Sequence, residues 1–227
     1  MAEKNNEINY DYINERISKA KEFLEKKYNE SFEVTDYMGQ PFMSNYYEVR
    51  AFSNKYPEMM FTASVSNDKE GVSDSYAAKL VSKRFSDIVS KNLDGIKGYV
   101  YVYSETFVKE FPLDSADISV EEFADIIENN LMKVYVFVCA DNETTENLYS
   151  SYCNIFNSLE KFSGTLYWYM TDEDMLKDIQ KYIESNITLS FDFVKMTEKN
   201  IVIEDVYYKG VPQISKDNFM TKMGKCI

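Results

Sequence analysis

Histidine is absent from the 227-residue sequence. Its absence removes the Ser-His and Cys-His nucleophile pairs, the imidazole general base and the commonest zinc ligand. Cysteine is scarce, with three residues at 139, 153 and 226, too scattered for a disulfide framework or a metal cluster. Cys139 ends an apolar run and Cys153 falls on a helical pattern, so both read as small buried hydrophobes; Cys226 sits in the C-terminal tail. Seven glycines form no G-x-G-x-x-G or Walker pattern, so no nucleotide-phosphate loop is expected. The longest uncharged apolar run, VYVFVCA at 134–140, has seven residues, against the ~20 that a membrane-spanning helix needs. The opening MAEKNNE is polar, with no apolar signal region. A cytoplasmic location is expected for the chain as written, and a cell-envelope or extracellular one if a signal or anchor has been trimmed. No cofactor and no metal are expected.

Charge of one sign is in short supply too. Lys and Arg total 25 against 38 Asp and Glu, a net charge of −13. A polyanion repels a phosphate backbone, so nucleic-acid binding is not expected. The excess serves solubility, attracts a basic protein or peptide, or mimics a nucleic-acid surface.

What is present is aromatic: 19 Tyr, 15 Phe and one Trp. Along the chain, Ile13, Ile17, Ala20, Leu24 and Tyr28 recur at helical spacing, and from Phe32 the period becomes two. Asn29 is the expected helix stop, taking the left-handed conformation that usually falls to glycine. Strands are expected at 46–52 and 60–65, then a helix from near Ser73 with Ala77, Leu80, Val81, Ile88 and Val89 buried. GYVYVYS at 98–104 reads as a strand. The stretch 111–119 is the expected boundary, dividing the chain into a helix-plus-meander half, 1–112, and a strand–helix alternating half, 113–227, packed as two domains or as one. In the second half, Ser119 and Glu122 form a capping box, KVYVFVCA is a strand, and Leu148, Tyr152, Ile155, Phe156 and Leu159 mark a helix. GTLYWYM is a strand, and a helix capped by Thr171 with Asp174 follows. ITLSFDF and NIVIEDV close the chain as strands. The fold class expected is α+β, with helices packed on a mixed, aromatic-rich sheet. A faint duplication, strand–acidic loop–helix–glycine–tyrosine-rich strand, links FTASVSND…GYVYVY with VYVFVCADN…GTLYWYM.

Alternation places Tyr99, Tyr101 and Tyr103 on one face of their strand. Tyr135 falls likewise in VYVFVCA, and Tyr167 and Tyr169 in TLYWYM. These six tyrosines are the candidate binding surface, expected on adjacent strands of one sheet; the other reading is a core between two helical layers. Asp172, Glu173 and Asp178 form a candidate acidic patch at a helix start, where the helix dipole already favours carboxylates. DNETTEN at 141–147 begins like a calcium loop but lacks its glycine and closing glutamate, and NDKEGVSD at 67–74 offers oxygen ligands around Gly71. Ser66 to Lys69 fits Ser-x-x-Lys without its Lys-Thr-Gly companion. Carboxylates are numerous enough for a glycosidase-like pair, but none is singled out.

AKEFLEKKYNESFEV, YEVRAFSNKYPEMMFTASVSND and the helix opened by SDSYAAKL together resemble uncharacterised small α+β domains of low-GC Gram-positive bacteria. The resemblance covers about residues 10–104. It implies frequent attachment behind a lipoprotein signal or a membrane anchor, and no assigned activity. The function expected is a non-enzymatic interaction module that uses an aromatic or acidic surface. The alternatives are a carboxylate- or divalent-cation-dependent hydrolase, and an acidic immunity-type or DNA-mimic inhibitor. The sequence does not fix an oligomeric state.

Overall fold

The computed structural model describes residues 10–68, 71–106, 116–126, 131–140, 143–185, 193, 197 and 201–224. They fall into two compact units, one up to Tyr76 and one from Ala77 onward, and the class is α+β.

In the first unit α1 (Tyr10–Tyr28) leads into β1 (Phe32–Gly39). Ala20, Leu24 and Tyr28 are the buried stripe of α1. The helix ends where expected: Asn29 has φ 53°, and its N–H donates to the Glu25 carbonyl at 2.9 Å. Then β1, β2 (Tyr46–Ser53), β3 (Tyr56–Ser66) and β4 (Val72–Asp74) form an antiparallel meander in chain order. Alternate residues Tyr47, Val49 and Ala51 of β2 and Phe61, Ala63 and Val65 of β3 are buried, the period-two signature of a sheet with a covered face.

The helix expected near Ser73 starts later. Residues 72–74 form β4, and α2 spans Tyr76–Lys91. Asp74 sets the stop and the start. Its buried carboxylate accepts from the Tyr76 amide at 2.9 Å and the Tyr28 hydroxyl at 2.7 Å, and it pairs with Lys27 at 2.9 Å. A carboxylate withdrawn from water is stable only with such partners. The helix face also differs in detail: Ala77, Leu80, Val81 and Val89 are buried with Phe85, while Ile88 is half-buried.

The second unit is built on a five-stranded sheet of β5 (Tyr99–Thr106), β6 (Leu131–Cys139), β7 (Ser163–Met170), β8 (Ile201–Tyr208) and β9 (Val211–Pro212), adjacent in that order. Only β6 and β7 are parallel. Glycine opens the tyrosine-rich strands for a steric reason: a Cβ on Gly98 would strike the Cys139 carbonyl, and one on Gly164 the Met132 carbonyl. The helices are α3 (Val120–Ile126), α4 (Thr145–Phe156), α5 (Glu173–Ser185) and α6 (Lys216–Met223). The capping box at α3 forms as expected. The Ser119 N–H donates to Glu122 Oε2 at 2.8 Å, and the Glu122 N–H to Ser119 Oγ at 3.1 Å.

One sheet face carries Val102, Val134, Val136, Leu166, Trp168 and Ile203, all buried. Against it lie α2, through Ser86 Oγ at 3.0 Å from Ser104 Oγ, and α4 and α6, through Tyr152 and Phe219, whose ring centroids lie 4.7 Å apart and about 6 Å from the Trp168 ring. α6 is a correction, since strands were expected to close the chain. Ser215 Oγ accepts from the Asn218 N–H at 3.3 Å to start it, and Phe219 and Met223 are fully buried. The strand expected at 187–193 lies outside the described residues, apart from Phe193, which is helical. The duplication fails, because β3 and β5 lie in different sheets whereas β6 and β7 are neighbours in one. Cys139 and Cys153 are half-buried rather than buried; Cys226 lies outside the described residues. Among the described residues no helix is long and apolar enough to cross a membrane.

Candidate functional site

The opposite face of the second unit's sheet collects the tyrosines that alternation singled out. Register pairs Tyr101 of β5 with Phe137 of β6, and Phe137 with Tyr169 of β7; one step along, Tyr103 pairs with Tyr135, and Tyr135 with Tyr167. Two aromatic rows therefore cross three strands, as expected for adjacent strands of one sheet. Centroid spacings are 6.2 and 4.6 Å in the first row, and 6.0 and 5.1 Å in the second. Aromatic pairs at these distances contribute about 0.5–1.5 kcal/mol each beyond the area they bury.

α5 lies over part of this face. Leu176, Ile179 and Ile183 pack with Phe193 against Tyr135, Phe137 and Tyr169. The six candidates thus separate by depth. Tyr135 and Tyr169 are buried floor, Tyr101, Tyr103 and Tyr167 are half-buried, and Tyr99 at the sheet's edge strand is 62% exposed. Burial holds the neutral phenol: Tyr101 is raised to about 12 by burial and then by the nearby Glu184 carboxylate. Tyr169 is raised to about 12 by burial. Tyr103 is raised further by burial and by Glu105, whose Oε1 accepts its hydroxyl at 3.1 Å. Glu204 stands opposite Tyr167 in the β7–β8 register. Carboxylates therefore border the aromatic rows on β5, β8 and α5.

The acidic patch is at the start of α5. Asp172 Oδ1 accepts from the Met175 N–H at 2.8 Å, so Asp172 caps the helix, one residue after the Thr171 cap expected. Thr171 has the weaker geometry, because its hydroxyl turns to the Asp172 carbonyl. Glu173 pairs with Lys177 at 2.7 Å, and Asp178 is exposed on the next turn. Because β6 and β7 are parallel, α4 and α5, which follow them, open on the same edge of the sheet.

The buried carboxylates have separate structural tasks. Asp205 of β8 accepts from the Tyr152 hydroxyl and from the N–H groups of Gln213 and Ile214 at 3.0–3.2 Å, tying α4 to the segment before α6. Glu143 accepts from the Lys97 N–H at 2.6 Å and Asn147 Nδ2 at 3.1 Å, and the Lys97 bond above all holds it below the usual carboxylate range. Among the described residues no three His, Cys, Asp or Glu side chains gather as a metal site; Lys69, Glu70, Asp141 and Asn142 of the loops considered from sequence lie outside them.

Sequence reasoning missed a second aromatic group, in the first unit. Arg16 of α1 lies between the rings of Tyr12 and Tyr47, 4.9 and 5.0 Å from their centroids. Tyr37 of β1 adjoins both rings, at 6.3 and 5.8 Å. The available signal was the four-residue spacing of Tyr12 and Arg16, which puts an aromatic ring and a cation on one face of α1.

No protein-family model matches the chain, and no curated protein matches it. Among solved structures it is similar to a DUF5037 family protein from Ruminococcus gnavus ATCC 29149, with a TM-score of 0.68 at 18% identity over 92% of this chain and 98% of that one. At that identity the likeness concerns the fold. The neighbour comes from a low-GC Gram-positive bacterium, the group to which the sequence resemblance pointed.

Proposed function

We propose that the chain is a non-catalytic binding module whose second unit takes a cationic segment of a protein or peptide on its tyrosine rim. The observation that carries this reading is the border of carboxylates, Glu105, Glu204 and Glu184, around the rows that contain Tyr101, Tyr103 and Tyr167. A lysine or arginine head is attracted both to the face of an aromatic ring and to a carboxylate beside it. Tyr99, the exposed member, is the first contact, and the buried pair Tyr135 and Tyr169 is the rigid floor. The net charge of −13 favours the same class of partner. Among the described residues the buried carboxylates Asp74, Asp205 and Glu143 each end in a separate hydrogen-bond network rather than in one shared cleft, which favours the binding reading over a hydrolase.

The test is the affinity of a fluorescent lysine-rich peptide for the whole chain. Tyr99→Ala with Glu184→Gln is expected to weaken binding ~5-fold or more, from the loss of one exposed cation–π contact and one charge. The comparison variant, Asp172→Asn with Asp178→Asn, alters the acidic patch and leaves the Glu173–Lys177 pair near Tyr99 in place. If only the comparison variant loses binding, the acidic helix start is the surface and the tyrosine rim is not.

A further inference from the structure

A different surface of the molecule, independent of the reading above, points to a partner. Residues 40–45 connect β1 to β2 through a tight turn in which the Ser44 N–H donates to the Pro41 carbonyl at 3.1 Å. Met43, its third residue, has φ 59°, a conformation normally left to glycine in this kind of turn. Hydrogen bonds hold the loop there. Ser44 Oγ donates to the Pro41 carbonyl at 2.7 Å, Asn67 Nδ2 to Gln40 Oε1 at 3.3 Å, and the Asn67 N–H to the Asn45 carbonyl at 3.0 Å. All this order presents two apolar side chains to water: Phe42 is 94% exposed and Met43 90%. Tyr10, Tyr12, Met38 and Tyr46 stand exposed at the same end of the first unit, on the start of α1 and beside the turn. These six are half of the twelve large hydrophobic side chains exposed among the described residues. Such clustering departs from singly scattered surface hydrophobics and marks an interaction surface.

The charges at this end identify the partner. Arg16 has its guanidinium between two tyrosine rings, its buried Nε has no hydrogen-bond partner, and it makes no ion pair among the described residues. On α1, β1 and β2, Asp11, Glu15, Asp36 and Glu48 are likewise outside any ion pair among the described residues. One end thus holds cations and carboxylates that make no ion pair among the described residues, Arg16 and, opposite Asp36 in the β1–β2 register, Arg50 among them, together with an apolar tip. A two-fold axis converts such a surface into its own complement, because each contact is made twice. Tyrosine, methionine, phenylalanine and arginine are also the residues enriched at interface cores. We infer that the end of the first unit formed by the Phe42–Met43 turn and Arg16 binds a second copy of this chain, with each Arg16 facing a carboxylate of the other copy.

Sedimentation equilibrium of the whole chain tests this. Each copy brings its net charge of −13 to the encounter, so a modest dimer is expected, with dissociation in the range of ~10–100 μM. Phe42→Ser with Met43→Ser changes side chains that are exposed in the monomer, so the fold is retained, and the dimer is expected to weaken at least ~10-fold. Arg16→Gln is expected to weaken it several-fold. A chain that stays monomeric up to ~1 mM, or a dimer that either variant leaves unchanged, overturns the inference. So does binding of the monomer to phosphatidylcholine vesicles that the Phe42→Ser, Met43→Ser variant abolishes, which would assign the tip to a bilayer.

Discussion

At the scale of single residues, tyrosine does two jobs that only its surroundings separate. Tyr152 is fully buried and gives its hydroxyl to Asp205, and Tyr28 gives its own to Asp74. Both satisfy a buried carboxylate, which costs several kcal/mol if left unpaired. Tyr101 and Tyr169 instead lie in the stacked rows, where burial raises their phenols from the ordinary 10.0 to about 12. The consequence for stability has a definite sign. In the unfolded chain these phenols ionise near 10, and in the folded chain only near 12. Their contribution is therefore complete below pH 10 and is lost as pH rises from 10 through 12. Urea midpoints recorded across that range should fall steadily, and tyrosinate absorbance should appear mainly with unfolding. A midpoint that is flat up to pH 12 would mean that these rings are open to water.

At the scale of elements, the starts and stops follow side-chain chemistry more closely than hydrophobic period. Asn29 ends α1, Asp74 separates β4 from α2, Ser119 with Glu122 starts α3, and Asp172 starts α5. Thr171 and Asp172 are both competent caps by type, and the sequence pattern favours threonine because Asp174 follows at capping-box spacing. The chain chooses Asp172 because β7 continues through Met170, which leaves Thr171 too close to the sheet edge; its N–H is committed to the Val138 carbonyl at 2.9 Å. Thermal or urea unfolding should then separate the two. Asp172→Ala is expected to cost about 1 kcal/mol, and Thr171→Ala to stay within about 0.5 kcal/mol. Equal losses would place the cap on both residues.

At the scale of the whole molecule, charge is the dominant sequence-level quantity. Acids exceed bases by 38 − 25 = 13. Most ion pairs among the described residues are partly or largely exposed, such as Lys177 with Glu173 and Lys161 with Asp125, and exposed pairs contribute little. The pair that contributes more, Lys27 with Asp74, has its carboxylate fully buried and shielded from added salt. Self-repulsion is therefore the larger electrostatic effect, and it destabilises the compact state. Raising sodium chloride from ~0.02 to ~0.2 M should raise the thermal midpoint by a few degrees. A lower midpoint in salt would show that the surface pairs outweigh the repulsion.

Local chemistry and period determined much of this protein before any tertiary contact. The α1 stripe with its Asn29 stop, the meander, the α3 capping box and the matching alternation of GYVYVY, VYVFVCA and GTLYWYM are all short-range patterns, set by 3.6 or 2 residues per repeat and by single caps. These patterns also put the six tyrosines on one sheet, since alternation fixes a face and a helical crossover between parallel strands returns the chain beside its starting strand. Tertiary structure decided the rest. Period alone gives strands apolar on both sides no open face, so only the packing of α5 and Phe193 made Tyr135 and Tyr169 floor and left Tyr99 exposed. α6 escaped notice because its pattern is short and polar, and it is held by two residues, Phe219 and Met223, that matter only once Tyr152 and Trp168 are beneath them. Arg16 lies 21 residues from Tyr37 and 31 from Tyr47, and contacts at such separations exist only after α1 has folded against β1 and β2. A sequence can state that a cation and several rings are present; only the fold can bring them to one end.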